Sequence, residues 1–165
     1  MADFNIQMKK YTASPSQFED FDTIIDVRSP AEYELDHVPK SINLQVLSNK
    51  ERHLVGKAYN EISPFNAKII GGHLVARNIA DHISQFLSHQ PRSWRPLIYC
   101  WRGGQRSRAM ATVLREVGWD AHILKGGYKE YRKFIRQQIP ILCKRLNFCV
   151  ICGTTGSGKS HVLKE

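Results

Sequence analysis

Short apolar runs alternate along the chain with longer segments in which apolar residues recur at helical spacing. The short runs predict five buried strands, and turn residues such as Ser29-Pro30 follow several of them. These predicted strands cover residues 24–27, 41–44, 96–99, 121–124 and 148–152.

Helices are predicted in the segments between and after these strands. A helical pattern covers residues 48–89, with a break near Ser63-Pro64 and a glycine pair at Gly71-Gly72. Another helix is expected over 107–117, and a further one from Gly126-Gly127 to about residue 138. Strands that alternate with helices are typical of an α/β fold, so we expect a parallel sheet flanked by helices, with a helical insertion at about 48–89.

Composition adds a possible class of partner. The chain has 165 residues, of which 42% are hydrophobic and 24% charged, as in an ordinary globular protein, and its formal net charge is +9. That charge favours a polyanionic partner, nucleic acid before membrane, although a merely basic surface would give the same number. We expect a cytoplasmic protein, because the four cysteines lack the density of a disulfide scaffold and the chain shows no signal sequence. We also expect that it does not enter a membrane, because no apolar run is long enough to span one.

The strongest chemical signal is the stretch YCWRGGQRSR at residues 99–108. Cys100 follows a predicted strand, and the carboxyl ends of parallel strands are where such sheets bind ligands. The adjacent glycines allow backbone amides to turn inward, and the next helix adds the positive end of its dipole. We therefore expect Cys100 to have a depressed pKa and to act as a nucleophilic thiolate.

Several motifs together resemble the rhodanese-like sulfurtransferases over about residues 14–138. The matching strings are Asp26-Val27-Arg28, Glu32-Tyr33, His37-Val38-Pro39, Ile42-Asn43-Leu44, Gly118-Trp119 and Leu124-Lys125-Gly126-Gly127-Tyr128. The resemblance implies a rhodanese-like fold with Cys100 as the catalytic cysteine that carries sulfur as a persulfide. The implied active loop comprises Trp101, Arg102, Gly103, Gly104, Gln105, Arg106 and Ser107. Asp26 and Arg28 are candidates for the pocket, and a structural salt bridge between them is an equal alternative.

The length of the loop leaves other functions open. Five residues separate Cys100 from Arg106, which is one more than in the common sulfurtransferase loop and resembles the rhodanese-fold dual-specificity phosphatases. This C-x5-R spacing keeps a phosphatase as the alternative enzyme, or indicates a larger transferred anion such as selenophosphate. A non-catalytic rhodanese-like binding module is the third hypothesis, and the intact cysteine argues against it.

A second motif follows the last predicted strand. The string GTTGSGKS fits G-x-x-x-x-G-K-[ST], in which backbone amides and a lysine hold phosphates. The candidate phosphate-binding residues are Gly153, Thr154, Thr155, Gly156, Ser157, Gly158, Lys159 and Ser160. We expect residues 1–138 to form the rhodanese-like domain and 139–165 to be a linker and the start of a truncated P-loop domain.

A rhodanese-like domain followed by a P-loop resembles the tRNA 2-selenouridine synthase family. The resemblance implies a sulfur or selenium transferase that converts wobble 2-thiouridine of tRNA to 2-selenouridine through an S-geranyl intermediate. It implies selenophosphate and geranyl diphosphate as phosphorylated co-substrates and tRNA as partner, with no tightly bound cofactor and no metal site. We expect this chain by itself to bind tRNA weakly and not to complete the full cycle.

Overall fold

The computed structural model describes residues 11–147 and 149–162, and within them it contains a parallel sheet of five strands. The strands are β1 (Thr12–Ala13), β2 (Thr23–Asp26), β3 (Ile42–Asn43), β4 (Pro96–Tyr99) and β5 (His122–Leu124). Their order across the sheet is β1-β5-β4-β2-β3, and every neighbouring pair is parallel. The predicted α/β class is therefore confirmed.

Helices connect these strands. They are α1 (Pro30–Leu35), α2 (Asn49–Glu61), α3 (Pro64–His82), α4 (Gln105–Val117), α5 (Gly127–Cys143) and α6 (Lys159–Val162). A 3₁₀ turn covers Pro15–Asp20, and a π-helical turn covers Ile83–Leu87. The chain divides into two compact units between Phe134 and Ile135, so α5 begins in the first unit and ends in the second.

Strand β4 is central and completely buried, which explains its uninterrupted apolar sequence. Its residues alternate between two apolar clusters, because successive side chains of a strand point to opposite faces. Leu97 and Tyr99 belong to one cluster, and Ile98 and Cys100 belong to the other. Cys100 thus lies at the carboxyl end of the best-buried strand of the sheet.

The predicted helical insertion is present as α2 and α3. The break falls at Ser63, whose hydroxyl accepts a hydrogen bond from the Asn66 amide at 3.1 Å, with Pro64 as the first residue of α3. Helix α2 begins with a capping box, in which Ser48 and Glu51 accept hydrogen bonds from each other's backbone amides. Glu51 also bonds to Arg77 and Asn78 of α3, so the same carboxylate ties the two helices together.

The strand prediction at 148–152 is wrong for the residues that the structure describes. Residues 149–152 have no strand assignment and are exposed, and Phe148 lies outside the described residues. A strand is stabilised by hydrogen bonds to a neighbouring strand, and an apolar run alone does not supply that partner. Among the described residues, the sheet consists of β1 to β5, and residues 149–152 pair with none of them.

Candidate active site

The active loop, residues 100–107, connects β4 to α4 and wraps around the Cys100 thiol. Cys100 is only 3% exposed. Its Sγ accepts a hydrogen bond from the Gly104 amide at 3.2 Å and lies 3.3 Å from the Ser107 hydroxyl. The same hydroxyl lies 3.2 Å from the Gly104 carbonyl, so its single proton bonds either to that carbonyl or to the sulfur.

The start of α4 is arranged to receive negative charge. No side chain caps this helix, because its N-cap position is Gly104. Burial by itself raises the pKa of the Cys100 thiol, but the Ser107 hydroxyl and amide, the charge of Arg106 and the Arg102 amide together hold that pKa below its ordinary value. The sulfur therefore takes the role that a capping side chain normally has at a helix start.

The first residues of α5 hold the active loop from the other side. The Tyr128 amide donates to the Cys100 carbonyl at 2.9 Å, and the Lys129 amide donates to the Trp101 carbonyl at 3.0 Å. Gly127, at φ +61°, passes so close that a Cβ there would meet the Cys100 carbonyl and lie 2.9 Å from the Arg102 nitrogen. Gly127, one of the two glycines predicted to open this helix, is thus required by the approach of two backbone segments, and Gly126 before it has a positive φ of +72°.

Glu32, at the start of α1, is a residue of the site for which the sequence pattern predicted no individual role. Its Oε2 accepts hydrogen bonds from Arg106 at 2.8 Å and from the Ser29 amide at 3.2 Å, and it lies 3.0 Å from Nε of Arg52. Burial raises the pKa of Glu32, but Arg106, Ser29 and Arg52 outweigh it and lower the pKa below the ordinary value. The spacing of Ser29 and Glu32 is a local signal for the start of a helix. The arginine partners of Glu32 are distant in sequence, so no local pattern indicates them.

Asp26, at the end of β2, and Arg28, two residues later, bond to each other. Nη2 of Arg28 is 2.6 Å from Oδ2 of Asp26, and both side chains are buried. The Arg28 guanidinium carbon also lies 4.0 Å from the centre of the Tyr128 ring. This pair therefore supports the residue whose amide holds the Cys100 carbonyl.

The remaining loop residues have different exposures. Trp101, Arg102 and Gln105 are exposed, whereas Gly103 and Arg106 are partly buried. The Trp101 ring lies 5.7 Å from that of Tyr128. Gly103 has φ +65°, and a Cβ there would lie 2.8 Å from the Leu124 carbonyl.

The predicted phosphate-binding segment, residues 153–160, lies in the second compact unit. The Lys159 ammonium donates to the carbonyls of Gly153 at 2.8 Å and Thr154 at 2.6 Å and to the Ser157 hydroxyl at 3.2 Å. Gly156 and Gly158 have positive φ. The lysine therefore folds over its own loop, at the start of α6.

Metal sites and membrane-spanning helices are both absent from residues 11–147 and 149–162. No group of histidine, cysteine, aspartate or glutamate side chains there has the arrangement of a metal site. None of the helices there has the length and apolar character needed to cross a membrane.

We predict that the alkylation rate of the Cys100 thiol rises with pH and reaches its midpoint below about pH 8.5, the ordinary pKa of a cysteine thiol. The thiolate is the reactive form, so a lowered pKa moves the rise in rate with pH to lower pH. Ser107→Ala removes one hydrogen bond to the sulfur and should shift the midpoint upward. The measurement is the iodoacetamide rate against pH, with mass spectrometry to isolate Cys100 from the exposed Cys143, Cys149 and Cys152. A midpoint for Cys100 at or above that ordinary value would refute the described electrostatics.

We predict that Gly127→Ala destabilises the protein by about 3 kcal/mol or more, because the methyl group meets backbone atoms of the active loop at a strained φ. Gly56→Ala is the matched control. A Cβ at this helical position meets nothing within 4 Å, so alanine should be neutral or stabilise by up to about 1 kcal/mol. Urea unfolding measures both, and equal stability of the two variants would contradict the close approach.

Comparisons with known proteins agree with this geometry. Residues 9–134 match the family described as Rhodanese-like domain. A protein of Nitrosomonas eutropha named tRNA 2-selenouridine synthase is 36% identical over 143 residues, which cover 86% of this chain and 37% of the relative. One of the same name from Sulfurovum sp. is 34% identical over 146 residues, with coverages of 86% and 39%. The chain thus spans less than two fifths of the length of these curated relatives.

A solved structure gives the same result. It is the N-terminal domain of a putative ATP/GTP binding protein from Clostridium difficile, which is 32% identical with a TM-score of 0.65. The match covers 75% of this chain and 98% of that domain. With the parallel sheet and the loop after β4, these matches lead to one assignment: the chain belongs to the Rhodanese-like domain family.

Proposed function

We propose that this chain is the chalcogen-handling part of an enzyme that modifies tRNA, with Cys100 as the chalcogen-handling thiolate. The observation that carries the proposal is the Cys100 sulfur itself, which is buried and hydrogen-bonded by the Gly104 amide and the Ser107 hydroxyl. The relatives named tRNA 2-selenouridine synthase and the rhodanese-like domain support a role in sulfur or selenium modification of tRNA.

Loading with sulfur needs only the groups of the active loop. The Cys100 thiolate attacks the outer sulfur of a sulfane donor such as thiosulfate, a new S–S bond forms, and sulfite leaves with the electron pair of the broken bond. The persulfide that results carries a negative charge on its terminal sulfur. Amides at the start of α4 favour that charge for the same reason that they lower the pKa of Cys100.

The finer form of the proposal is the replacement of sulfur by selenium at C2 of a wobble 2-thiouridine. Selenophosphate is the proposed selenium donor: its selenium attacks C2, the sulfur leaves as its geranyl thiolate when the C2–Se bond forms, and water then cleaves the P–Se bond and releases phosphate. Geranyl diphosphate would supply that geranyl group at the P-loop part of the enzyme. Residues 153–160 would hold its diphosphate, which is consistent with a lysine that already folds over the loop.

The phosphatase hypothesis rests on the C-x5-R spacing of Cys100 and Arg106. In a phosphatase loop of this kind, the arginine binds the phosphate of the substrate. Here Arg106 bonds to the carboxylate of Glu32, which would repel a phosphate dianion placed against the same guanidinium. The same repulsion would act on an anionic sulfur or selenium donor at that guanidinium, so the choice between the two chemistries rests on the donor comparison that follows.

A donor comparison separates the two chemistries. We predict that thiosulfate adds one sulfur atom to Cys100, detected by intact and peptide mass spectrometry, and that hydrolysis of a generic aryl phosphate is negligible. Cys100→Ser is the matched control, because it keeps the size of the side chain and removes the nucleophilic sulfur. Robust phosphate release by the unmodified chain, lost in Cys100→Ser, would instead establish the phosphatase.

The selenation step is tested with a tRNA that already carries S-geranyl-2-thiouridine. With selenophosphate present, we predict trace formation of 2-selenouridine that requires Cys100, measured by nucleoside analysis after digestion. We expect none from a 2-thiouridine tRNA supplied with geranyl diphosphate and selenophosphate. Equal turnover by Cys100→Ser on the geranylated tRNA would show that this cysteine has no role in the exchange.

A further inference from the structure

A large cleft lies between the inserted helices α2 and α3 and the start of α4. Its volume is about 1090 Å³, just above the ordinary range for ligand pockets. Its apolar wall includes Leu47, Val55 and Val75. Gln105 and Arg106 also line it, so the cleft adjoins the active loop.

Two glycines that line the cleft have no packing reason to be glycine. A Cβ on Gly56 of α2 or on Gly72 of α3 would meet no atom within 4 Å, and neither residue has a positive φ. Each makes its helix less stable than alanine would at the same position. Gly71 differs, because a Cβ there would lie 3.4 Å from a Val55 methyl group, between the two helices. Gly56 and Gly72 therefore keep space open in the cleft.

The lining carries an excess of positive charge. It contains Arg52, Lys57, Lys68 and Arg106 against the carboxylate of Glu61. Both arginines contact Glu32, and Lys57 lies 3.7 Å from Glu61. Within the described residues, Lys68 makes no ion pair, so its ammonium remains available to a phosphate.

We propose that this cleft binds one nucleotide of a single-stranded RNA loop, with the base against the apolar wall and its phosphate at Lys68. The inference rests on the proposed function, because an enzyme that acts on a base must take that base out of its stack. Single-stranded loops present unstacked bases that proteins bind on apolar surfaces. The observed wall, open space and unpaired lysine meet those requirements beside the active loop.

Binding of a fluorescent 2-thiouridine anticodon stem-loop to the full chain tests the proposal through two variants. Gly72→Leu fills the cleft and should weaken binding at least tenfold with the salt dependence unchanged, while the melting temperature stays equal or rises. Lys68→Gln should lower the slope of log affinity against log salt by about 0.7, the value for one phosphate contact on a single strand. Ala80→Leu and Arg92→Gln are the matched controls, since both residues are exposed and neither lines the cleft.

The outcomes separate this inference from the proposed function. If the unmodified chain binds the stem-loop and both cleft variants bind like their controls, the cleft assignment is wrong and the tRNA function stands. If the unmodified chain shows no salt-dependent binding to the stem-loop, the tRNA function itself fails and the cleft assignment with it. Uridine monophosphate is the competitor, and displacement of the stem-loop at equal concentrations would overturn the RNA assignment in favour of a free nucleotide.

Discussion

Two backbone hydrogen bonds, from the Tyr128 and Lys129 amides to the carbonyls of Cys100 and Trp101, hold the active loop in place. They require α5 to begin directly against the loop, with glycine at position 127. Tyr128 in turn is held by Arg28, which is fixed by Asp26 at the end of β2. The geometry around the sulfur therefore depends on a turn that lies more than twenty residues later in the chain.

Burial and the polar groups of the loop have opposite effects on the pKa of the Cys100 thiol. A buried thiol normally has a raised pKa, yet Cys100 has a lowered one because amides, a hydroxyl and a guanidinium act on the sulfur at short range. Glu32 limits the positive charge of the loop by bonding to Arg106. It also contacts Arg52 of the insertion, so the helical insertion and the active loop share one carboxylate. The cleft that we assign to RNA lies beside this shared contact.

Sequence reasoning predicted the elements whose signals are local. The apolar run of β4, the break at Ser63 and the glycine turn before α5 are each visible in a few consecutive residues. The position of Cys100 at the carboxyl end of β4 was predictable for the same reason, because this residue directly follows the apolar run of the strand. The arginine partners of Glu32 could not be predicted, and neither could the cleft, because each brings together residues that are distant in sequence. The strand at 148–152 failed for a related reason, since a strand needs a neighbour that a local pattern does not reveal.

Amide hydrogen exchange at Tyr128 and Lys129 tests most directly whether the active loop is part of the core. The reference is the Val27 amide, which donates to the Tyr99 carbonyl at 3.0 Å at the ends of β2 and β4. If the loop opens only with the sheet, all three amides should exchange with the same free energy of opening, that of global unfolding. Exchange of Tyr128 and Lys129 through a much cheaper local opening, while Val27 stays protected, would contradict the account.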